Sequence, residues 1–235
     1  MMRSLPLSKG ELKEPQQKLR LMVQKRGPLK YLSHLEFSRV FLRACRRADI
    51  PLAYSQGNRS LPRISFGPAL PVGIESEGER VDLRLTISLA PEEVRSSLNS
   101  KLPEGMQVVS CQEVLDSFPP PQDPWKFEIV LNLVGQGPTL RLVGRSRSFH
   151  EKAVADLLDQ EEILISKPKN GISKMVNIRP SIENLHLTDV QELQVVLELE
   201  LRPGSSGNSL EEVIRKLYSL NPDENISLEI KKYRN

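Results

Sequence analysis

The chain is predicted to be an α+β protein of two tandem ferredoxin-like (βαββαβ) units with antiparallel sheets. Three observations predict this. Strand-like alternation and helix-like periodicity follow one another in the order β-α-β-β-α-β through the first half. A comparable order returns in the second half, without any residue-level repeat. Between the halves lies the stretch SFPPPQDP. Proline lacks the N–H that a helix interior or a central strand requires, so this stretch reads as a linker. The expected organisation is a disordered leader over 1–17, a basic unit over 18–116, a Pro-rich linker over 117–124 and a second unit over 125–235.

Each element has a local reason. Leu19 to Gln24 alternates as a strand. Ser33 followed by Glu36 is a capping box, in which hydroxyl and carboxylate satisfy the free N–H groups of a helix start. Phe37, Phe41, Ala44, Cys45 and Ala48 then recur at helical spacing, and the helix ends before Pro51. Pro51 to Tyr54 reads as a short strand, and Val81 to Ile87 as a longer one. Pro91 suits the first turn of a second helix, and Met106 to Val109 closes the half as a strand. In the second half, Lys126 to Val134 alternates strictly, and Ser148 with Glu151 forms another capping box. Ile163 to Ser166, Met175 to Ile178 and Leu193 to Leu201 are strand-like. Ser209 and Glu212 cap a helix to Leu220, and Ile226 to Ile230 is the last strand.

Composition narrows the function. Hydrophobic residues make up 38% of the 235, enough for a packed core. No apolar run reaches the ~18 residues of a membrane span, and Met1 to Gln17 has no signal-peptide pattern. A cytoplasmic protein is expected. Two cysteines, Cys45 and Cys111, supply neither a disulfide framework nor a Cys₄ site, and His34, His150 and His186 have no partner at ligand spacing. No metal is expected. The net charge of +3 hides an asymmetry. From Lys18 to Arg63, eleven Lys/Arg face two acids, giving +9; from Ile64 to Trp125, ten Asp/Glu face four Lys/Arg, giving −6. A basic block favours a polyanionic partner, although the two blocks can also neutralise each other in the fold.

The candidate functional residues cluster between Tyr31 and Asp82. Arg39, Arg43, Arg46 and Arg47 fall on one helical stripe, and Arg59 and Arg63 lie on the following loop with Gly57. Guanidinium groups bind phosphates through paired N–H donors and stack on bases, so the stripe points to RNA. Tyr31 offers a stacking face, and Ser33 and His34 sit at the helix start. Glu75, Glu77 and Glu79 share a face of an alternating strand; carboxylates there can bind Mg²⁺, perform acid–base chemistry or pair with the arginines. Phe66 and Tyr54 read as core. Lys167, Lys169, Lys174 and Arg179 are further candidates in the second unit.

These residues carry a resemblance. The runs YLSHLE, RACRRA and PRISFGPALPVGIESEGE, with Asp82 following, are similar to the signature of the radical-SAM-linked proteins, a bacterial family of unknown function. Its usual pattern is an SHLD-type helix start, an RALRRAG-type helix end, then SxGFxPxPRISF and LPxGxxSxxE. The second half resembles it through Ile165 to Lys174 and Asn177-Ile178-Arg179-Pro180. The chain departs from the pattern at Asn58-Arg59-Ser60-Leu61-Pro62, where an aromatic is lost and an arginine gained, and at Asn177, where the family has Asp. The resemblance implies an accessory to a radical SAM enzyme, with RNA-related surroundings and no catalytic residue to carry over. The chain has no C-x-x-x-C-x-x-C, so no cluster or other cofactor of its own is expected, and any cluster would belong to a partner. The leading expectation is a module that binds RNA, docks such an enzyme, or both, with no preference for DNA. An RNA-processing or modification enzyme using His34 and a purely protein-binding adaptor are the alternatives.

Overall fold

A computed structural model describes residues 16–56, 60–115, 124–133, 138–169, 172–203, 205, 210–221 and 224–233; at 138, 167–169 and 172 the backbone alone is described. The predicted leader, apart from Gln16 and Gln17, and the predicted linker, apart from Pro124, lie outside these residues. The chain divides into two compact units. One comprises Met1–Lys25, Leu35–Gly67 and Gly78–Ser117; the other comprises Arg26–His34, Pro68–Glu77 and Phe118–Asn235. Both mix helices with mostly antiparallel strands, so the α+β class holds.

In the first unit, β1 (Gln17–Lys25) alternates buried and half-buried residues, with Leu19, Leu21 and Val23 facing the core. α1 (His34–Arg47) follows, then β2 (Ile64–Phe66), β3 (Ile74–Leu85, whose residues 74–77 belong to the second unit), α2 (Pro91–Asn99) and β4 (Met106–Glu113). Strand β4 pairs antiparallel with β1, and β2 with β3; β1 is the neighbour of β3. Pro91 stands in the first turn of α2, as its missing N–H allows. The second strand of the unit is 64–66 and not the expected 51–54. That earlier segment makes only isolated bridges, Leu52 to Leu85 and Tyr54 to Pro62, because Pro51 has no N–H to extend a ladder.

The second unit contains β5 (Trp125–Asn132), α3 (Arg147–Leu158), β6 (Leu164–Lys169), β7 (Ile172–Asn177), β8 (Ile182–Gln191), β9 (Gln194–Leu201), α4 (Leu210–Leu217) and β10 (Ser227–Lys232). Strand β10 pairs antiparallel with β5 and parallel with Ile74–Ser76 of β3; β5 pairs with β9 and β9 with β8. Strands β6 and β7 form a separate hairpin. The strand order β10-β5-β9-β8 matches β4-β1-β3-β2 of the first unit when each is counted from its own first strand, leaving out the hairpin. The core here is built from Phe127, Ile129 and Leu131 of β5, Leu197 and Leu199 of β9, and Ile214 of α4.

Two expectations fail for local reasons. Strand β8 went unanticipated, because register shifts at Ile182/Asn184 and Leu187/Asp189 break its two-residue period. The cap of α3 is Ser146 rather than Ser148: its hydroxyl accepts the Phe149 N–H at 3.3 Å, and Glu151 pairs instead with Arg147 at 2.8 Å.

Candidate polyanion-binding surface

Helix α1 presents two chemically distinct sides. Phe37, Phe41, Ala44 and Cys45 are buried. Phe66 of β2 meets Phe37 and Phe41 edge-on at centroid distances of 6.0 and 6.1 Å, which ties α1 to the Val81 face of the sheet, since Phe66 pairs with Val81. Phe66 is half-buried, packed edge-on against α1. Arg39, Arg43, Arg46 and Arg47 are all exposed on the other side. At 100° per residue the first three fall within about 60° of one line along the helix. Arg47 bends back to donate to the Lys101 carbonyl. The helix stops in a left-handed residue, Asp49 at φ 49°, with Ile50 N–H returning to the Cys45 carbonyl at 3.0 Å.

The remaining candidates are placed as follows. Arg63 is half-buried beside Arg84, whose N–H donates to the Arg63 carbonyl at 3.1 Å. Gly57 and Arg59 lie outside the described residues. Ser33 and His34 are half-buried at the start of α1, and Tyr31, 64% exposed, carries the Lys30 ammonium 5.5 Å above its ring. Lys174 is exposed on β7, opposite Lys167 in register; Lys169 is on β6. The Arg179 guanidinium is committed to carbonyls, Leu158 at 2.9 and 3.1 Å and Ile182 at 3.4 Å, so it caps the end of α3. Asn177 Oδ1 accepts two backbone N–H groups, from Ile163 and Arg179, both at 3.0 Å; a carboxylate oxygen would serve equally there.

The carboxylates do not meet the α1 arginines as expected. Glu75 accepts the Gly27 N–H at 2.9 Å, and Glu77 pairs with Lys231 at 2.7 Å and Arg26 at 3.5 Å, all within the second unit. Glu79 is buried, because the alternation of β3 changes phase at Gly78, so it does not share the half-exposed positions of Glu75 and Glu77. Asp82, only 3% exposed, receives the Arg20 fork at 3.2 and 3.4 Å and the Lys18 ammonium at 3.8 Å. Arg80 lies two residues away on β3, half-buried; burial and then the charge of Arg20 hold its guanidinium below the usual value, with Asp82 pulling the other way. The period-two run Lys18, Arg20, Met22, Gln24 of β1 was the sequence signal for this group.

In the second unit the polar face of the sheet has the opposite character. Lys231, Glu128 and Glu198 are cross-strand neighbours on β10, β5 and β9, with Lys126 and Glu200 beside them at 2.7 Å and His186 3.8 Å from Glu198. The Tyr233 hydroxyl is pushed up to about 12 by burial and by its hydrogen bond to Glu128, helped by the charges of Glu128, Glu77 and Glu198. In its core, His150 is fully buried; Nδ1 lies 2.9 Å from the Tyr218 hydroxyl and Nε2 has no protein partner, and burial holds the ring below its usual value. Sequence reasoning gave His150 no role, since Tyr218 is 68 residues away. Burial also raises the thiols, Cys45 to about 12 and Cys111 to about 11, above the ordinary thiol range. Among the described residues no three His, Cys, Asp or Glu side chains gather as a metal site, and no helix is long and apolar enough to cross a membrane.

Fold and surface thus define an α+β protein with a basic helix on one unit and an acidic sheet face on the other. The chain belongs to a bacterial family described as "Uncharacterized protein conserved in bacteria (DUF2344)", whose model matches residues 18–211. No curated protein matches the sequence. Among solved structures, a Cbf5-Nop10-Gar1 complex aligns at 10% identity and a TM-score of 0.49, covering 91% of this chain and 48% of the other. An archaeal box H/ACA sRNP Nop10-Cbf5 complex aligns at 11% identity and 0.44, covering 93% and 47%. A protein of unknown function from Galdieria sulphuraria aligns at 14% identity and 0.25, covering 91% and 98%. The chain spans about half the length of the two complex components it matches. None of these comparisons brings in a radical SAM enzyme.

Proposed function

We propose that this protein is an accessory binding module that holds RNA on the outward side of α1, each of its two units being ferredoxin-like. The observation that carries this reading is the alignment of Arg39, Arg43 and Arg46, all exposed, opposite a buried Phe37–Phe41–Ala44 side. A rigid helix with three guanidinium groups in line supplies phosphate contacts at fixed spacing, which sets position and affinity but not sequence preference. Glu36 is the single acid on α1, so the stripe keeps a net positive charge. In the setting that the signature implies, the module works in the cytoplasm and brings RNA to a radical SAM enzyme rather than catalysing by itself.

Mobility shifts with total RNA at rising salt test the reading. Neutralising three phosphates of a single strand gives a log–log salt slope of about −2, since each contributes about −0.7. The double substitution Arg43→Glu and Arg46→Glu is expected to abolish binding at moderate salt. Unchanged binding by this variant, or none by the natural chain at low salt, removes the proposal. A pull-down of a radical SAM enzyme that resists nuclease would replace RNA by direct protein docking.

A further inference from the structure

Strand β10 outruns its parallel neighbour. It pairs with β5 along its whole length, Ser227 to Lys232, but with β3 only from Ile230 onward, where Ile230 meets Ile74. The Tyr233 N–H donates to the Lys126 carbonyl at 2.9 Å, so positions 231, 229 and 227 likewise turn their backbone groups to β5. The alternate positions, Leu228 among them, turn theirs the other way. Leu228 precedes the first pair with β3, and none of the described residues bonds its N–H or C=O on that side. The segment that would extend the ladder turns away: Gly73 adopts φ 91° and donates its N–H to the Lys30 carbonyl at 2.8 Å. The sheet therefore has a notch beside Leu228, with a backbone donor and acceptor left outside the ladder.

The notch opens into a recess of about 280 Å³. Ile226, Leu228 and Ile230, at alternate positions, form its floor; Leu210 of α4 and Val72 form its walls. All of them belong to the second unit. The three floor residues pack on the core yet stay half-buried, and Val72 is 56% exposed. Covering such apolar surface stabilises by about 25 cal/mol per Å². The volume is nearly twice the ~150 Å³ at which an apolar cavity already accepts a benzene ring, so it takes a leucine or phenylalanine side chain. Glu211 stands at the rim. The Arg215 fork occupies its Oε1 at 2.6 and 3.0 Å, and its Oε2 has no partner among the described residues. An unladdered strand edge beside a side-chain pocket suits strand addition, in which main-chain bonds give affinity and the pocket selects the side chain.

We propose that this notch docks an extended peptide segment of a partner protein. The segment adds beside Leu228, places one bulky apolar side chain in the recess and carries a Lys or Arg next to Glu211. The site does not depend on the RNA reading of α1.

Amide NMR of the full chain, titrated with acetylated and amidated Val-Leu-Lys, tests the site. The Leu228 amide signal is expected to shift and saturate. A glycine in place of the peptide's leucine, or methylation of its backbone nitrogens, removes the shift. A glutamate in place of its lysine weakens binding about threefold, the scale of one exposed ion pair, and Glu211→Gln makes the two peptides equal. Val72→Lys, an exposed substitution that leaves the thermal midpoint in place, sets a cation against the incoming one and abolishes binding. The Arg43→Glu, Arg46→Glu chain binds the peptide as the natural chain does, so failure here and failure at α1 are seen separately. A shift that survives backbone methylation means a pocket for small apolar molecules and overturns strand addition. A concentration-dependent dimer that Val72→Lys breaks puts a second copy in the notch and overturns a separate partner. No saturating Leu228 shift up to the peptide's solubility, or unchanged binding by Val72→Lys, overturns the site itself.

Discussion

The polar sheet faces of the two units solve the same packing problem with opposite charge. In the first unit Lys18, Arg20 and Arg80 gather around Asp82, a carboxylate almost withdrawn from water. In the second, Glu77, Glu128, Glu198 and Glu200 are interleaved with Lys126 and Lys231 on neighbouring strands. The acidic face distributes its pairs over adjacent register positions, each partly solvated. The basic face concentrates its pairs on one buried oxygen pair. A charge that is buried and shared by several partners carries more energy than the same charge in a solvated lattice, and this is the difference to test.

The largest effect is expected at Asp82. Asp82→Asn removes the buried carboxylate that the Arg20 fork and the Lys18 ammonium share and should cost about 3–5 kcal/mol, read from urea unfolding. A loss under ~1 kcal/mol would show that the basic face is as well solvated as the acidic one. A smaller effect is expected at Glu128. Burial leads and the Glu128 hydrogen bond follows in holding Tyr233 at about 12, so Glu128→Gln should bring its ionisation part of the way back towards 10 in an ultraviolet pH titration. The sign follows from that raised value: the favourable share present below pH 10 is lost as pH climbs through 12. An unmoved titration would mean that burial alone sets it. The smallest effect belongs to Glu77, 27% exposed, where Glu77→Gln removes two partners yet should change stability by less than about 1 kcal/mol.

The same contrast explains what was legible in the sequence. Helix α1 was readable because Phe37, Phe41, Ala44 and Cys45 repeat at the helical period, and the arginines fall in the complementary positions. Strand β9 was readable through strict alternation from Gln194 to Leu201. The Asp82 cluster was not readable, because Arg20 and Asp82 sit 62 residues apart on two strands. Likewise the partners of Glu75 and Glu77 are Gly27, Arg26 and Lys231, all distant in the chain, and the register of β10 beside β3 is what brings Lys231 there. Local pattern specifies elements; which charges meet is decided by pairing between elements distant in the chain.

The raised thiols have a practical side. Burial holds Cys45 at about 12 and Cys111 at about 11, both above an ordinary thiol, so their thiolates are scarce near neutral pH. A cysteine introduced at an exposed position such as Arg39 or Lys174 would ionise near its ordinary ~8.5 and take a maleimide dye far ahead of either native thiol. The native thiols should therefore react more slowly than a cysteine set on α1 or on the β6–β7 hairpin. Each unit can carry its own reporter in an otherwise unaltered chain.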